Sequence, residues 1–303
     1  MRIIIFGLNG QLGYELMRQG RALKLDIQGV DLPQTDITDR DQVIDAFNAY
    51  RPSQVVNAAA YTNVDGAESE IELAMSVNRD GPAHIARLCA DNNIPLIHIS
   101  TDYVFDGEKG RPYLETDPVS PIGVYGRSKA AGESAVRSAL TEHIILRTAW
   151  LYGSHGHNFV KTMIRLAREK KEIRVVSDQY GSPTAAADLA ESILKISAII
   201  QRRAAAVAWG TYHYCGHGIL SWHEFAEAIV DLCRQNGRVR VKRVCPIKTT
   251  DYPTKVKRPR YSALDCSLVN QHFGIDPKPW RSSLAITVQD ILSSTPGLPQ
   301  DLT

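Results

Sequence analysis

The chain opens on Arg2-Ile3-Ile4-Ile5-Phe6, a continuously apolar run rich in β-branched residues, which is how a strand buried on both faces of a parallel sheet reads. Short runs of the same kind recur at Leu25–Val30, Gln54–Asn57, Pro95–Ser100 and His143–Trp150. Between them lie helical stretches. Gln11–Leu23 places Leu12, Leu16 and Leu23 on one side. Arg40–Tyr50 follows Asp36-Ile37-Thr38-Asp39, whose oxygens can cap it, and stops before Pro52. Glu68–Asn92 contains Pro82, which predicts a kink or two consecutive pieces. Tyr125–Leu140 completes the series after a Gly/Pro-rich loop. Strands alternating with helices at this rhythm predict an α/β fold built on a doubly wound parallel sheet.

Beyond Trp150 the rhythm changes. Helices are expected at Asn158–Lys170, Ala186–Ile199 and Ser221–Gln235, mixed with short strands at Ile173–Ser177, Tyr212–Cys215 and Val239–Val244. The pattern divides the chain into a main domain over 1–153 and a smaller C-terminal α/β lobe over 154–303, with about 178–200 returning to the main domain. No internal repeat or low-complexity segment appears.

Composition narrows the partners. The 303 residues are 44% hydrophobic and 22% charged, an ordinary globular balance with length enough for a large core. Thirty-five basic residues against 33 acidic give a net charge of +2, which requires neither nucleic acid nor an anionic membrane. Five widely spaced cysteines (Cys89, Cys215, Cys233, Cys245, Cys266) read as free thiols of a reducing compartment. No apolar run approaches the ~20 residues that span a bilayer. A cytoplasmic location is expected.

Candidate chemistry begins at the first turn. Gly7-Leu8-Asn9-Gly10-Gln11-Leu12-Gly13 lies between a strand and a helix, where glycines allow a tight turn and bring backbone N–H groups to a pyrophosphate at the positive helix end. Its place directly after an N-terminal strand points to a Rossmann-type dinucleotide site, the alternative being a structural βα turn. Asp31 stands eighteen residues past Gly13, where a carboxylate accepts from a ribose 2′-hydroxyl and repels a 2′-phosphate, favouring NADH over NADPH; an Asp ending a strand also serves turns. Ala58-Ala59-Ala60-Tyr61-Thr62 would let a cofactor lie against the backbone, or would simply pack tightly. His98 reads as a satisfied core or surface histidine rather than a ligand. Ser100, Thr101 and Asp102 stand at a strand's carboxyl end, where α/β sheets bind ligands. The basic stretch Arg238–Arg260 is a solvated face or a diphosphate site, with Arg258 the preferred contact.

Tyr125-Gly-Arg-Ser-Lys129 places a phenol and an ammonium one helical turn apart. An ammonium favours the phenolate and would draw the tyrosine down toward working pH. Twelve tyrosines produce about one such spacing by chance, so its meaning rests on the blocks around it.

Together those blocks resemble the extended short-chain dehydrogenase/reductases, and within them the dTDP-4-dehydrorhamnose reductase family. The resemblance is carried by Gly7-x-x-Gly10-Gln11-Leu12-Gly13, Val56-Asn57-Ala58-Ala59-Ala60-Tyr61-Thr62-x-Val64-Asp65, Ser100-Thr101-Asp102-Tyr103-Val104-Phe105-x-Gly107 and Tyr125-Gly126-x-Ser128-Lys129. It continues through Arg147-Thr148-x-Trp150, Asn158-Phe159, Asp178-Gln179-x-Gly181-x-Pro183-Thr184 and Arg258-Pro259, so it spans nearly the whole chain.

The resemblance implies that Tyr125 donates a proton, that Lys129 tunes it and holds the nicotinamide ribose, and that Thr101 and Asp102 contact the reacting sugar. It implies cofactor contacts at Gly7, Gly10, Gln11, Leu12, Gly13, Asp31, Asp36, Ile37, Ala60, Tyr61, Thr62 and Ile99. Substrate contacts fall on Val104, Trp150, Asn158 and Arg258. Some members bind Mg²⁺ at a dimer contact through a glutamate matching Glu15, so a monomer or homodimer is expected. The implied reaction is NAD(P)H-dependent reduction of the 4-keto group of dTDP-4-dehydro-6-deoxy-L-mannose, feeding cell-surface polysaccharide. Chemistry agrees, because hydride delivery to a ketone leaves charge on oxygen that a hydroxyl and a phenol can stabilise and protonate. Other readings are reduction of another nucleotide-linked 4-ketohexose, a non-catalytic subunit like the regulatory subunit of methionine adenosyltransferase, and the epimerases and dehydratases. The last usually continue the turn as Gly-Phe-Ile-Gly, whereas this chain has Gly10-Gln11-Leu12-Gly13.

Overall fold

The computed structural model describes residues 2–203, 207–237, 239–252, 254 and 256–294; Arg238 and Lys255 of the basic stretch lie outside the described residues. Six parallel strands form the main sheet in the order Gly210–His213, His143–Thr148, Leu96–Thr101, Gln54–Asn57, Arg2–Phe6 and Asp26–Val30. The two-sided burial expected of Arg2–Phe6 follows from its place between neighbours. Ile3 and Ile5 join a core with Leu12, Leu16 and Leu189 of the helices Gln11–Ala22 and Ala186–Arg203. Ile4 and Phe6 face the opposite core, with Phe47, Ile85 and Val136 of the helices Arg40–Tyr50, Gly81–Asp91 and Val124–Ala139. The sheet is thus a doubly wound, Rossmann-like α/β layer. Its strand order reverses between Arg2–Phe6 and Gln54–Asn57, and such a switch point opens a crevice at the strands' carboxyl ends.

The long helical region resolves as the sequence suggested, and Pro82 takes the first turn of Gly81–Asp91, where its missing N–H costs nothing. The break before it is a π turn, Ser76–Asp80, after the short helix Ile71–Met75. Asp39 caps Arg40–Tyr50, its side chain accepting from the Asp41 and Gln42 backbone N–H groups. His98 is fully buried on its strand, as expected of a core histidine.

Two strands differ from expectation. The segment expected at Tyr212–Cys215 is Gly210–His213 and pairs with His143–Thr148 as the outer strand of the main sheet. The strand expected at Val239–Val244 starts at Arg243 and runs to Ile247, beside Glu172–Val176. The backbone N–H groups of Arg240 and Val241 are engaged with the carbonyl of Ala167, finishing the helix Phe159–Glu169, so those residues cannot join the ladder. The smaller lobe packs Ile164, Phe225, Ile229 and Leu284 into a core of its own. Two helices that apolar spacing did not predict close the chain. Ser267–Phe273 sends Val269 and Phe273 back into the main core, and Trp280–Ser294 packs in the lobe. No helix among the described residues is long and apolar enough to cross a membrane.

The helix Val124–Ala139 is fixed to the sheet by a buried ion pair. Arg147 donates to Glu133 through Nε at 2.8 Å and Nη2 at 2.6 Å, with side chains 2% and 0% exposed. Ser100 Oγ donates to the same carboxylate at 2.7 Å, and Arg137 adds a contact at 3.1 Å. Removing one partner strands the other charge in a low dielectric. Glu133→Ala should therefore lower unfolding free energy by ~3–5 kcal/mol in urea denaturation, and a loss near zero would show the pair to be dispensable.

Candidate active site

A cleft of about 710 Å³ lies at the carboxyl ends of the main strands, its floor formed by the glycine turn and its far wall by the smaller lobe. The turn is shaped for a group that approaches backbone. Gly7 has φ +93°, and a Cβ on Gly13 would stand 2.0 Å from the Gly7 carbonyl oxygen, so only glycine lets strand and helix meet here. Gly10 caps Gln11–Ala22 without a side-chain hydrogen bond, and no acid occupies the first helical turn, leaving a positive end for a pyrophosphate. Asp31 also lines the cleft. Its Oδ2 accepts from Asn9 N at 2.7 Å and its Oδ1 from Leu32 N at 2.8 Å, so both oxygens serve the turn. These features fit a dinucleotide.

Tyr125, Lys129, Thr101 and Asp102 meet at the centre of the cleft. Tyr125 and Lys129 share a face of Val124–Ala139; Thr101 ends Leu96–Thr101 and Asp102 begins the next turn. Thr101 Oγ1 donates to Asp102 Oδ1 at 2.9 Å, and the Tyr103 ring meets the Tyr125 ring edge-on at 5.5 Å. Electrostatics departs from the sequence expectation. Burial pushes the Tyr125 phenol up to about 12, opposed by the Thr101 hydroxyl, instead of the ammonium drawing it down. Lys129 is itself lowered to about 8 by burial, against the pull of Glu133, and its Nζ donates to the Ile99 carbonyl at 2.7 Å. Desolvation thus outweighs the charge pair, and the phenol keeps its proton at neutral pH. Burial raises the Asp102 carboxyl to about 6, with the Ser262 and Thr101 hydroxyls opposing.

The helix carrying this pair is held at its start by residues that spacing did not reveal. Glu68 Oε1 accepts from Val124 N at 2.7 Å, supplying the cap that Gly123 lacks. Asn78, fully buried in the π turn, donates to Ser128 Oγ at 3.0 Å and to the Tyr61 carbonyl at 3.0 Å, while Tyr61 N donates to its Oδ1 at 2.9 Å. Ser128 Oγ in turn donates to the Tyr125 carbonyl at 2.8 Å. The segment after the strand Gln54–Asn57 and the helix carrying Tyr125 and Lys129 are thereby one hydrogen-bonded unit.

On the lobe side, Trp150 stacks on Trp222 at 3.5 Å and 7°. Its backbone is left-handed at φ +47°, a strained state for a bulky residue, and a Cβ on Gly181 would lie 2.5 Å from its indole. Asn158 caps Phe159–Glu169 and donates to Gln11 Oε1 at 2.9 Å, joining lobe to glycine turn.

Of the residues expected at the site, Gly7, Gly10, Gln11, Leu12, Asp31, Asp36, Ile37, Ala60, Thr62, Ile99, Trp150, Asn158 and Arg258 line the cleft beside the central four. Gly13 acts from beneath the turn. Tyr61 and Val104 are not in the lining: the Tyr61 hydroxyl donates to Glu70, and Val104 is buried with Phe105 and Tyr113. Trp222, Tyr103, Thr148 and His157 line the cleft without having been foreseen, because spacing along the chain does not register a wall assembled from four separate segments. Glu15, expected as a metal ligand at a dimer contact, is engaged within the single chain. Its carboxylate is taken by Arg18 at 2.7 Å and by Gln19, and no cluster of three His, Cys, Asp or Glu able to hold an ion occurs among the described residues. Gly13→Ala should weaken NADH binding about tenfold or more in a fluorescence titration, since the added methyl must prise open the turn; unchanged affinity would refute the cradle.

Comparison with known proteins places this geometry. The family model described as RmlD substrate binding domain matches residues 1–293. A dTDP-4-dehydrorhamnose reductase of Aggregatibacter actinomycetemcomitans is 42% identical over 288 residues, covering 93% of this chain and 97% of that protein. The crystal structure of a dTDP-4-dehydrorhamnose reductase from Clostridium acetobutylicum superimposes with a TM-score of 0.89 at 38% identity, covering 97% of this chain and all of that one. The Bacillus anthracis reductase, solved in complex with NADP, gives 0.87 at 38% identity over 95% of this chain and 99% of its own. With the glycine cradle, the Tyr125–Lys129 helix and end-to-end similarity in agreement, the chain belongs to the dTDP-4-dehydrorhamnose reductase family.

Proposed function

We propose that this protein reduces the 4-keto group of dTDP-4-dehydro-6-deoxy-L-mannose to give dTDP-L-rhamnose, using a reduced nicotinamide dinucleotide, in the synthesis of cell-surface polysaccharide. The observation that carries the reading is the meeting of Tyr125, Lys129 and Thr101 in the cleft that also holds the glycine cradle. That set argues against a non-catalytic binding subunit, which has no use for a proton donor. We place the reaction in the cytoplasm, where the five free thiols stay reduced.

When bound, the dinucleotide supplies hydride to the carbonyl carbon. The residues of this chain handle the oxygen. Tyr125, with its phenol held near 12, is in the donor form and delivers its proton as negative charge develops. Thr101 carries one hydroxyl proton, which it donates to the buried Asp102 here; turned to the substrate oxygen instead, that same proton stabilises the developing charge. Lys129 holds the nicotinamide ribose and places a positive charge beside the forming alkoxide. Trp150 and Trp222 wall the sugar-nucleotide side, and Arg258 reaches the diphosphate from the mouth.

Tyr125→Phe should reduce kcat by ~10²–10⁴ while leaving dinucleotide affinity nearly unchanged. Because Lys129 loses its proton near pH 8 and Tyr125 only near 12, kcat/KM of the intact enzyme should decline as pH rises through about 8. A Tyr125→Phe enzyme with near-normal turnover of the 4-keto sugar nucleotide would sink the assignment. Asp31 presents a carboxylate where a 2′-phosphate would sit, so kcat/KM for NADH should exceed that for NADPH; the reverse ranking would reduce Asp31 to its turn role.

A further inference from the structure

Arg258 and Asp65 approach the cleft mouth from opposite halves of the molecule. Asp65 lies in the short helix Val64–Ala67 after the strand Gln54–Asn57; Arg258 lies on the C-terminal segment that crosses back over the main domain. They form an ion pair, Arg258 Nη2 to Asp65 Oδ2 at 3.0 Å, with side chains 29% and 44% exposed. The contact is incomplete. A guanidinium and a carboxylate can meet through two parallel hydrogen bonds, but here Arg258 Nε and Asp65 Oδ1 are both buried and without a partner among the described residues. Two orphaned polar atoms within one ion pair offset much of what the pair gains.

The backbone does not explain the poor fit, because it is anchored on both sides of Arg258. Pro259 lies so close to Gly107 that a Cβ there would be 2.6 Å from the proline Cα. Tyr261 N donates to the Gly107 carbonyl and Tyr180 N to the Arg260 carbonyl. Val256 is buried against Gly123 at the start of the catalytic helix. The segment is docked, while the guanidinium is met by only one carboxylate oxygen. A diphosphate offers more charge and more acceptor oxygens than that carboxylate, enough to engage Nε as well.

Resting on the reading of the cleft as a nucleotide-diphosphate-sugar site, we propose that Asp65 is a stand-in anion: it holds Arg258 while the cleft is empty and yields it to the substrate diphosphate, so that Asp65 sets the affinity and anion selectivity of the site. Asp65 is already partly exposed, so releasing it to water costs little. Anions of lower charge displace it poorly, which favours a diphosphate over a monophosphate.

The test is calorimetric binding of dTDP to the full chain with dinucleotide present. Asp65→Asn and Asp65→Ala should each tighten dTDP several-fold and narrow its advantage over dTMP, with KM for the sugar nucleotide falling and kcat held. Arg258→Ala should weaken dTDP, and adding Asp65→Asn to it should change nothing further. If Arg258→Ala weakens binding but the Asp65 variants leave it equal or weaker, the stand-in role fails and the diphosphate reading of Arg258 survives. If Arg258→Ala leaves dTDP affinity unaltered, both fail together.

Discussion

The buried Glu133–Arg147 pair is the constraint from which the reactive geometry follows. Glu133 sits one helical turn beyond Lys129 and two beyond Tyr125, so anchoring it fixes the rotation of the whole helix against the sheet. Burial alone would raise the Glu133 carboxyl, yet Arg147, Ser100 and Arg137 together hold it below its ordinary value. His213, pushed down to about 3 by burial and by Arg147, stays neutral and lies 3.4 Å from Arg147 Nη1 without competing for the carboxylate. Arg137 comes from the helix itself, but Arg147 and Ser100 come from strands whose ends also carry Thr148 and Thr101. The same interaction that holds the helix therefore sets the distance between phenol, ammonium and threonine. It also reaches the chemistry directly, because Glu133 is the charge that opposes the downward shift of Lys129.

The two halves of the cleft are built on different physical terms. The dinucleotide half is mostly backbone: a left-handed Gly7, a Gly13 that admits no methyl, and a helix start left open by Gly10. Asn78 extends that rigidity across the cleft by joining the Tyr61 backbone to Ser128. A π turn provides the irregular geometry that lets one buried amide serve both elements. The dinucleotide half is thus fixed largely by backbone geometry, which suits a site that must align a bound cofactor.

The substrate half depends on side chains carried by the lobe. Trp150 is held in a strained backbone state by the bare surface of Gly181 on one side and by Trp222 on the other. Arg258 is delivered by an anchored segment but met by a single oxygen of Asp65. Both cysteines nearest this wall, Cys215 and Cys266, remain free thiols 3.6 Å apart.

Local sequence determined the elements whose signals are local. The apolar run Arg2–Phe6, the glycine turn, the Pro82 break and the pairing of Tyr125 with Lys129 on one helix face all depend on neighbours within a few residues. Strand Gly210–His213 was misplaced because its partner, His143–Thr148, lies more than sixty residues away in the chain, and Arg243–Ile247 was shifted because Ala167 claims the N–H groups before it. The direction of the Tyr125 shift was likewise out of reach, since spacing reports the charge next door but not how much water folding removes. Tertiary structure alone decided that desolvation wins and that Trp222, Asn78 and Asp65 are brought to the cleft region from remote segments. Those outcomes are sums over many distant contacts, which no short stretch of chain encodes.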